Sequence, residues 1–181
     1  MEILDEPLKG LFVIKPRVFS DHRGYFYESY NLETFRNIGI ADHFIQDNQS
    51  LSTDKNVLRG LHFQNEPFAQ AKLVRVVTGA VYDVAVDIRK SSPTYGHWFG
   101  IELNEENKTL LYIPKGFAHG FVTLQPNTLF NYKCSNVYNK ALEEGILWND
   151  KDLNIDWGVD QPILSEKDEV HQTFAAFKSQ F

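Results

Sequence analysis

The chain has 181 residues, enough for one domain with a real buried core, and its 43% hydrophobic and 14% aromatic content excludes a disordered segment. A formal charge of −6 excludes broad electrostatic adhesion to nucleic acid or an anionic membrane, while leaving room for a local basic pocket. The one cysteine, Cys134, excludes an intramolecular disulfide framework and a cysteine-rich zinc site.

The first ten residues, MEILDEPLKG, are acidic and lack the basic start and apolar centre of a signal peptide. No window approaches the length of a membrane span, so a soluble, cytoplasmic protein is expected. Strands are predicted at LFVIK (11–15) and YFYESY (25–30). A helix follows in NLETFRNIG, with Asn31 as N-cap, Leu32, Phe35 and Ile38 on one face, and Gly39 as the stop. The remaining runs read as strands: VLRGLHF (57–63), KLVRVVTG (72–79), VYDVAVDIR (81–89), HWFGIEL (97–103), TLLYIP (109–114), HGFVTL (119–124) and LFNYKCSNVY (129–138). A short second helix is expected from about Ser165. Regularly spaced strands without intervening helices predict an all-β sandwich or barrel, the jelly roll among its forms, in a single domain over 1–181.

Several strand interiors carry ionisable groups. Alternation puts Lys72 with Val74 and Val76, Tyr132 with Phe130 and Cys134, and His119 with Phe121 and Thr123. Strict alternation sets His62 on the side of Leu58 and Gly60 and turns Arg59 the opposite way, unless Gly60 hosts a bulge. Each residue also has a bland role: a hydrogen-bonded histidine, a lysine reaching the rim, a tyrosine filling core, or Arg59 paired with an acid such as Asp83. Their accumulation on separate strands favours a shared polar interior.

The stretch IPKGFAHGF contains P-x-G-x-x-H, which resembles the second motif of the cupin jelly rolls, where the histidine often binds metal. The first cupin motif brings H-x-H. Here the matching positions are His62 and Gln64, and the next strand carries Lys72, whose ammonium would oppose a dication. Metal-free acid–base chemistry is therefore expected.

Over nearly its whole length the chain resembles the dTDP-4-dehydrorhamnose 3,5-epimerase family. The resemblance lies in DHRGYFYESY, FIQDNQS, VLRGLHFQ, QAKLVRVVTGAVYDVAVDIRKSSPTYG, IPKGFAHGF, NYKCSNVY, GILWNDKDLNIDW and LSEKD. It implies a cupin-type jelly roll with a few short peripheral helices, no cofactor, and a dTDP-ketosugar substrate. It further implies His62 as base oriented by Asp168, Tyr132 as acid on the opposite sugar face, and Lys72 as enolate stabiliser. Arg59, His119, Arg23, Phe19, Phe26, Glu28, Gln46, Asn48 and Tyr138 resemble substrate or nucleotide contacts. The resemblance also implies a homodimer whose N-terminal part completes the neighbour's site, and a place in dTDP-L-rhamnose synthesis for lipopolysaccharide or O-antigen. The closing DW-G, where the family often has Pro after Trp, is the one departure noted.

Three alternatives fit the same residues: a C3-only epimerase or ketoisomerase of dTDP-4-keto-6-deoxyhexoses, a metal-dependent cupin, and a non-catalytic carbohydrate-binding jelly roll.

Overall fold

The computed structural model describes residues 1–181, folded as two antiparallel sheets face to face with one small separate hairpin. In order, the six-stranded sheet runs β1 (Glu2–Leu8), β2 (Leu11–Lys15), β10 (Leu110–Ile113), β7 (Lys72–Thr78), β12 (Thr128–Cys134) and β5 (Gln46–Ser52). The five-stranded sheet runs β13 (Glu143–Gly145), β6 (Leu58–Gln64), β11 (Phe117–Thr123), β8 (Ala80–Asp87) and β9 (Trp98–Asn104). The hairpin pairs β3 (Val18–Asp21) with β4 (Gly24–Tyr27). Neighbours in these orders that are far apart in the chain, such as β10 between β2 and β7, give the crossed connectivity of a jelly roll.

Two-residue periodicity sorts the core into three layers. Val74, Val76, Val81, Ala85, Leu111, Ile113, Phe117, Phe121 and Phe130 meet between the sheets. Alternate residues of the same strands, such as Val84, Val86, Ala118 and Val122, face outward beneath the C-terminal segment, whose Leu153, Trp157 and Phe177 cover them. On the far side Ile14, Leu73, Leu110 and Tyr112 are covered by α1 (Leu32–Asn37) through fully buried Phe35. Asn31 caps that helix as predicted, its Oδ1 accepting from the amides of Glu33 and Thr34 at 3.0 and 3.2 Å. No helix is long and apolar enough to cross a membrane.

The expected helix from Ser165 does not form. Residues 166–169 are a turn in which the Ser165 carbonyl accepts from both Asp168 and Glu169, and the chain then leaves to bridge Gln172 with Ile146. The Ser165 and Asp168 side chains are bonded to each other, so the local polar groups satisfy one another in a turn rather than a longer helix. Four strands carried no sequence signal strong enough to predict: β1, β3, β5 and β13. Of these β5, QDNQSLS, is polar on both faces at the sheet edge, so it lacks the apolar alternation by which strands are recognised.

Strand β6 departs from alternation where it matters. Against β11, His62 pairs with His119 but Arg59 pairs with Phe121, so β6 spends one more residue than its partner across the interval. The slip puts Leu58, Leu61 and Phe63 all on the outer cluster. Arg59 and His62, expected on opposite faces, therefore both turn to the interior. Gly60 makes this possible, with φ of +133° and its missing Cβ facing Gly120 Cα and the His119 carbonyl, which a Cβ would approach to 2.5 and 2.8 Å.

Gly60→Ala should therefore destabilise the domain by roughly 2 kcal/mol or more, since backbone rather than a flexible side chain would have to yield. Urea denaturation checks this; a variant as stable as the parent would mean the two strands can part without loss.

Candidate active site

Between the sheets lies a cleft with two lobes that share His62, Lys72 and Tyr132. The inner lobe, about 270 Å³, adds Arg59, His119, Asp168, Ser50 and Ser165 over a floor of Phe121 and Phe130. The outer lobe, about 480 Å³, adds Gln46, Asn48, Gln70, Tyr138 and Glu143. His62 comes from β6, whereas Lys72 and Tyr132 come from β7 and β12 of the facing sheet.

His62 Nε2 and Asp168 Oδ1 are 2.5 Å apart, and the other carboxylate oxygen accepts the Ser165 hydroxyl at 2.8 Å. Burial alone would raise the Asp168 carboxyl, but the hydrogen bond and charge of His62 outweigh it and hold the pKa below the usual range. With Nε2 engaged, Nδ1 is the ring nitrogen left free for a substrate. A second pair lies beside it: His119 Nε2 donates to both oxygens of fully buried Asp83 at 2.9 Å. Burial pushes His119 down despite that carboxylate, which favours a neutral ring. Asp83 is thus occupied by His119, and Arg59 does not pair with it. The exposed Arg59 guanidinium makes no ion pair and lines the cleft free to take an anion.

Burial also lowers Lys72, opposed by Cys134, Asp83 and Glu143. It raises the Tyr132 phenol, which keeps its proton at neutral pH. An imidazole, a phenol and an amine therefore face one polar cavity, an arrangement suited to moving a proton off carbon and meeting the charge that develops on a neighbouring oxygen.

The remaining expected contacts divide in two. Gln46 Nε2 donates to Asn48 Oδ1 at 3.0 Å and Gln46 Oε1 accepts the Tyr138 amide at 3.0 Å, so these three form one wall. Arg23, Phe19 and Phe26 instead lie on the β3–β4 hairpin and line a separate surface hollow, while Glu28 accepts from Asn31 and Thr34 at the start of α1. None of these four lines the cleft of its own chain. Gln64, where a metal cupin would offer histidine, holds the loop after β12 through the Asn139 amide and the Val137 carbonyl. Sequence reasoning missed Ser165, Ser50 and Glu143, all of which line the cleft. Only Ser165 had a signal, since Ser-x-x-Asp is a self-bonding turn pattern.

The family model described as dTDP-4-dehydrorhamnose 3,5-epimerase matches residues 5–176. A protein of that name from Shigella flexneri is 53% identical over 175 residues, covering 96% of both chains. The crystal structure of a Bacillus anthracis dTDP-4-dehydrorhamnose 3,5-epimerase with TDP and pyrophosphate bound superposes with a TM-score of 0.94 at 45% identity, covering 96% of this chain and 99% of that one. A Legionella pneumophila dTDP-6-deoxy-D-glucose-3,5-epimerase, solved with dTDP-4-keto-L-rhamnose, gives 0.93 at 44% identity over 98% and 94% of the two chains.

Because the Asp168 carboxyl is depressed in the fold, its stabilising effect is complete above the unfolded carboxylate pKa of about 3.9 and is lost as pH falls through the lower folded value. Asp168→Asn should cost about 1–3 kcal/mol at pH 7, with the gap to the parent closing at lower pH. Denaturation series at pH 7 and in the acid limb test this; a gap that widens on acidification would reverse the assignment.

Proposed function

Since the chain belongs to the dTDP-4-dehydrorhamnose 3,5-epimerase family, we propose that it converts dTDP-4-dehydro-6-deoxy-D-glucose to dTDP-4-dehydro-L-rhamnose with the residues of this cleft. It is an isomerase. The C4 ketone of the substrate acidifies the protons on C3 and C5, and inversion at each carbon needs a base on one face and an acid on the other. The observation that carries this reading is His62, backed by Asp168, facing Tyr132 from the opposite sheet across one cavity.

His62 Nδ1 takes the proton, and Asp168 stabilises the imidazolium that results. The electrons move onto the C4 oxygen, and Lys72 meets the enolate. Tyr132 then protonates the carbon from the other face. Hydrogen leaves and returns as a proton, so no redox cofactor is needed. No step calls for a metal either, and Lys72 occupies the interior where a dication would be repelled. One domain over 1–181 carries all of this, in the cytoplasm where nucleotide sugars are made, supplying rhamnose for lipopolysaccharide or O-antigen.

The assembly we propose is a homodimer with shared sites. Phe19 is 51% exposed and Phe26 69% on a hairpin that joins neither sheet of its own chain. Insertion into a second copy's cleft would bring an aromatic face for thymine and, in Arg23, a cation for the diphosphate alongside Arg59.

Mixed dimers of Arg23→Ala and His62→Ala chains should recover activity that neither homodimer has. Proven heterodimers without recovery would mean each site is built from one chain.

His62 and Tyr132 should separate cleanly. His62→Ala abolishes both deuterium uptake from D₂O and inversion. Tyr132→Phe keeps the base, so deuterium still enters but mostly with retained configuration, and net epimerisation falls roughly 10²-fold or more. Mass and NMR analysis of recovered sugar reads both. Normal inversion by Tyr132→Phe would show the acid lies elsewhere, whereas a protein that exchanges no proton at all would have a different activity.

A further inference from the structure

His171 is a buried imidazole that the proton transfers leave unused. Its side chain is only 11% exposed, and its Nε2 is buried without a hydrogen-bond partner. Such an orphaned polar atom is rare in a folded protein and calls for a partner. The ring stands edge-on to His62, centroids 5.4 Å apart, with Nε2 3.5 Å from the same Asp168 Oδ1 that bonds His62.

The chain has made room for this ring. Gly145 pairs with His62 in the β13–β6 ladder, and a Cβ there would lie 2.5–2.6 Å from three atoms of the His171 imidazole. The Ile146–Gln172 bridge, with the Leu147 amide bonded to the Gln172 carbonyl at 2.9 Å, pins the next residue. His171 lines neither lobe of the cleft, so it sits behind His62 rather than in the substrate's path.

We propose that His62, Asp168 and His171 form a latent site for a borderline-soft dication such as Zn²⁺, and that filling it switches the base off. The three donor atoms all lie within 4.8 Å of one another. Tetrahedral zinc with bonds of about 2.0–2.1 Å holds its ligands roughly 3.3 Å apart, so small side-chain rotations close the set, with water as fourth ligand. Two imidazoles and one carboxylate suit zinc and not Mg²⁺, which prefers an oxygen shell. The site is distinct from the cupin position opposite Lys72, because it uses His62 Nε2, the nitrogen bonded to Asp168, together with His171, which lies outside the cleft.

Inhibition follows from the two nitrogens of one ring. When the ion takes Nε2, the proton formerly between His62 and Asp168 is displaced, and the neutral ring carries its one proton on Nδ1. The nitrogen that must accept a proton from the sugar is then already protonated. Binding itself is independent of the epimerase reading, and only its inhibitory consequence rests on it.

The test compares chelator-treated parent enzyme with His171→Phe, which keeps the ring over Gly145 but has no donor, and with His171→Asn should that variant fail to fold. Calorimetric titration with zinc chloride in a non-coordinating buffer should show one site per parent chain, weakened about tenfold or more in the variants. Imidazole nitrogen NMR should move His62 and His171 together. Chelated parent should be fully active, zinc should inhibit it reversibly, magnesium should not, and the variants should keep basal turnover while resisting zinc. Absence of zinc binding, equal binding or inhibition in the variants, or activity lost on chelation would each overturn the proposal. An enzyme inactive on the sugar that still bound zinc through His171 would instead discredit the epimerase reading alone.

Discussion

The site depends on the close approach of two glycines. Gly60 and Gly120 cross with so little space that a Cβ on the first would sit 2.5 Å from the second's Cα, and a Cβ on Gly120 would lie 2.8 Å from the Arg59 carbonyl. That contact lets β6 carry one extra residue against β11. Without the slip, either Arg59 or His62 would face the apolar outer layer under Trp157 and Phe177, where an unpaired charge is costly. With it, both reach the cavity and the outer face keeps an unbroken Leu58, Leu61, Phe63 surface.

The bulge alone would leave polar groups stranded in a sandwich core, and the solution is pairing. Two histidines neighbouring across the β6–β11 ladder each have their own buried carboxylate, Asp168 for His62 and Asp83 for His119. The carboxylates come from different places, Asp83 from adjacent β8 and Asp168 from the C-terminal turn. Lys72 has no such partner, and burial lowers its pKa while neighbouring groups resist. A cation held this way gains most from an anion that forms during reaction, which suits an enolate.

The polar edge strand β5 and the exposed hairpin share one logic. Each is poor at burying apolar surface within the chain, and each carries side chains suited to contacting something else. Gln46 and Asn48 line the cleft, whereas Phe19, Arg23 and Phe26 line a separate hollow on the hairpin.

Much of this was legible in one dimension. Periodicity of two located most strands of both sheets and put Lys72, Tyr132 and His119 on their inward faces, because alternation is enforced wherever one face must be buried. Asn31 and Gly39 bounded the helix through local hydrogen bonding and backbone freedom, which need no tertiary partner. The edge strand β5 and the bulge at Gly60 were not decided locally. Polar strands leave no periodic trace, and a glycine permits a bulge without requiring one until a second glycine is packed against it. Which acid serves which histidine was likewise a question of three dimensions: Asp168 lies 106 residues from His62 and is joined to it only by folding. The sequence by itself determined an all-β frame with ionisable groups turned inward; tertiary structure alone decided their partners, because burial makes pairing obligatory but only packing selects the mate.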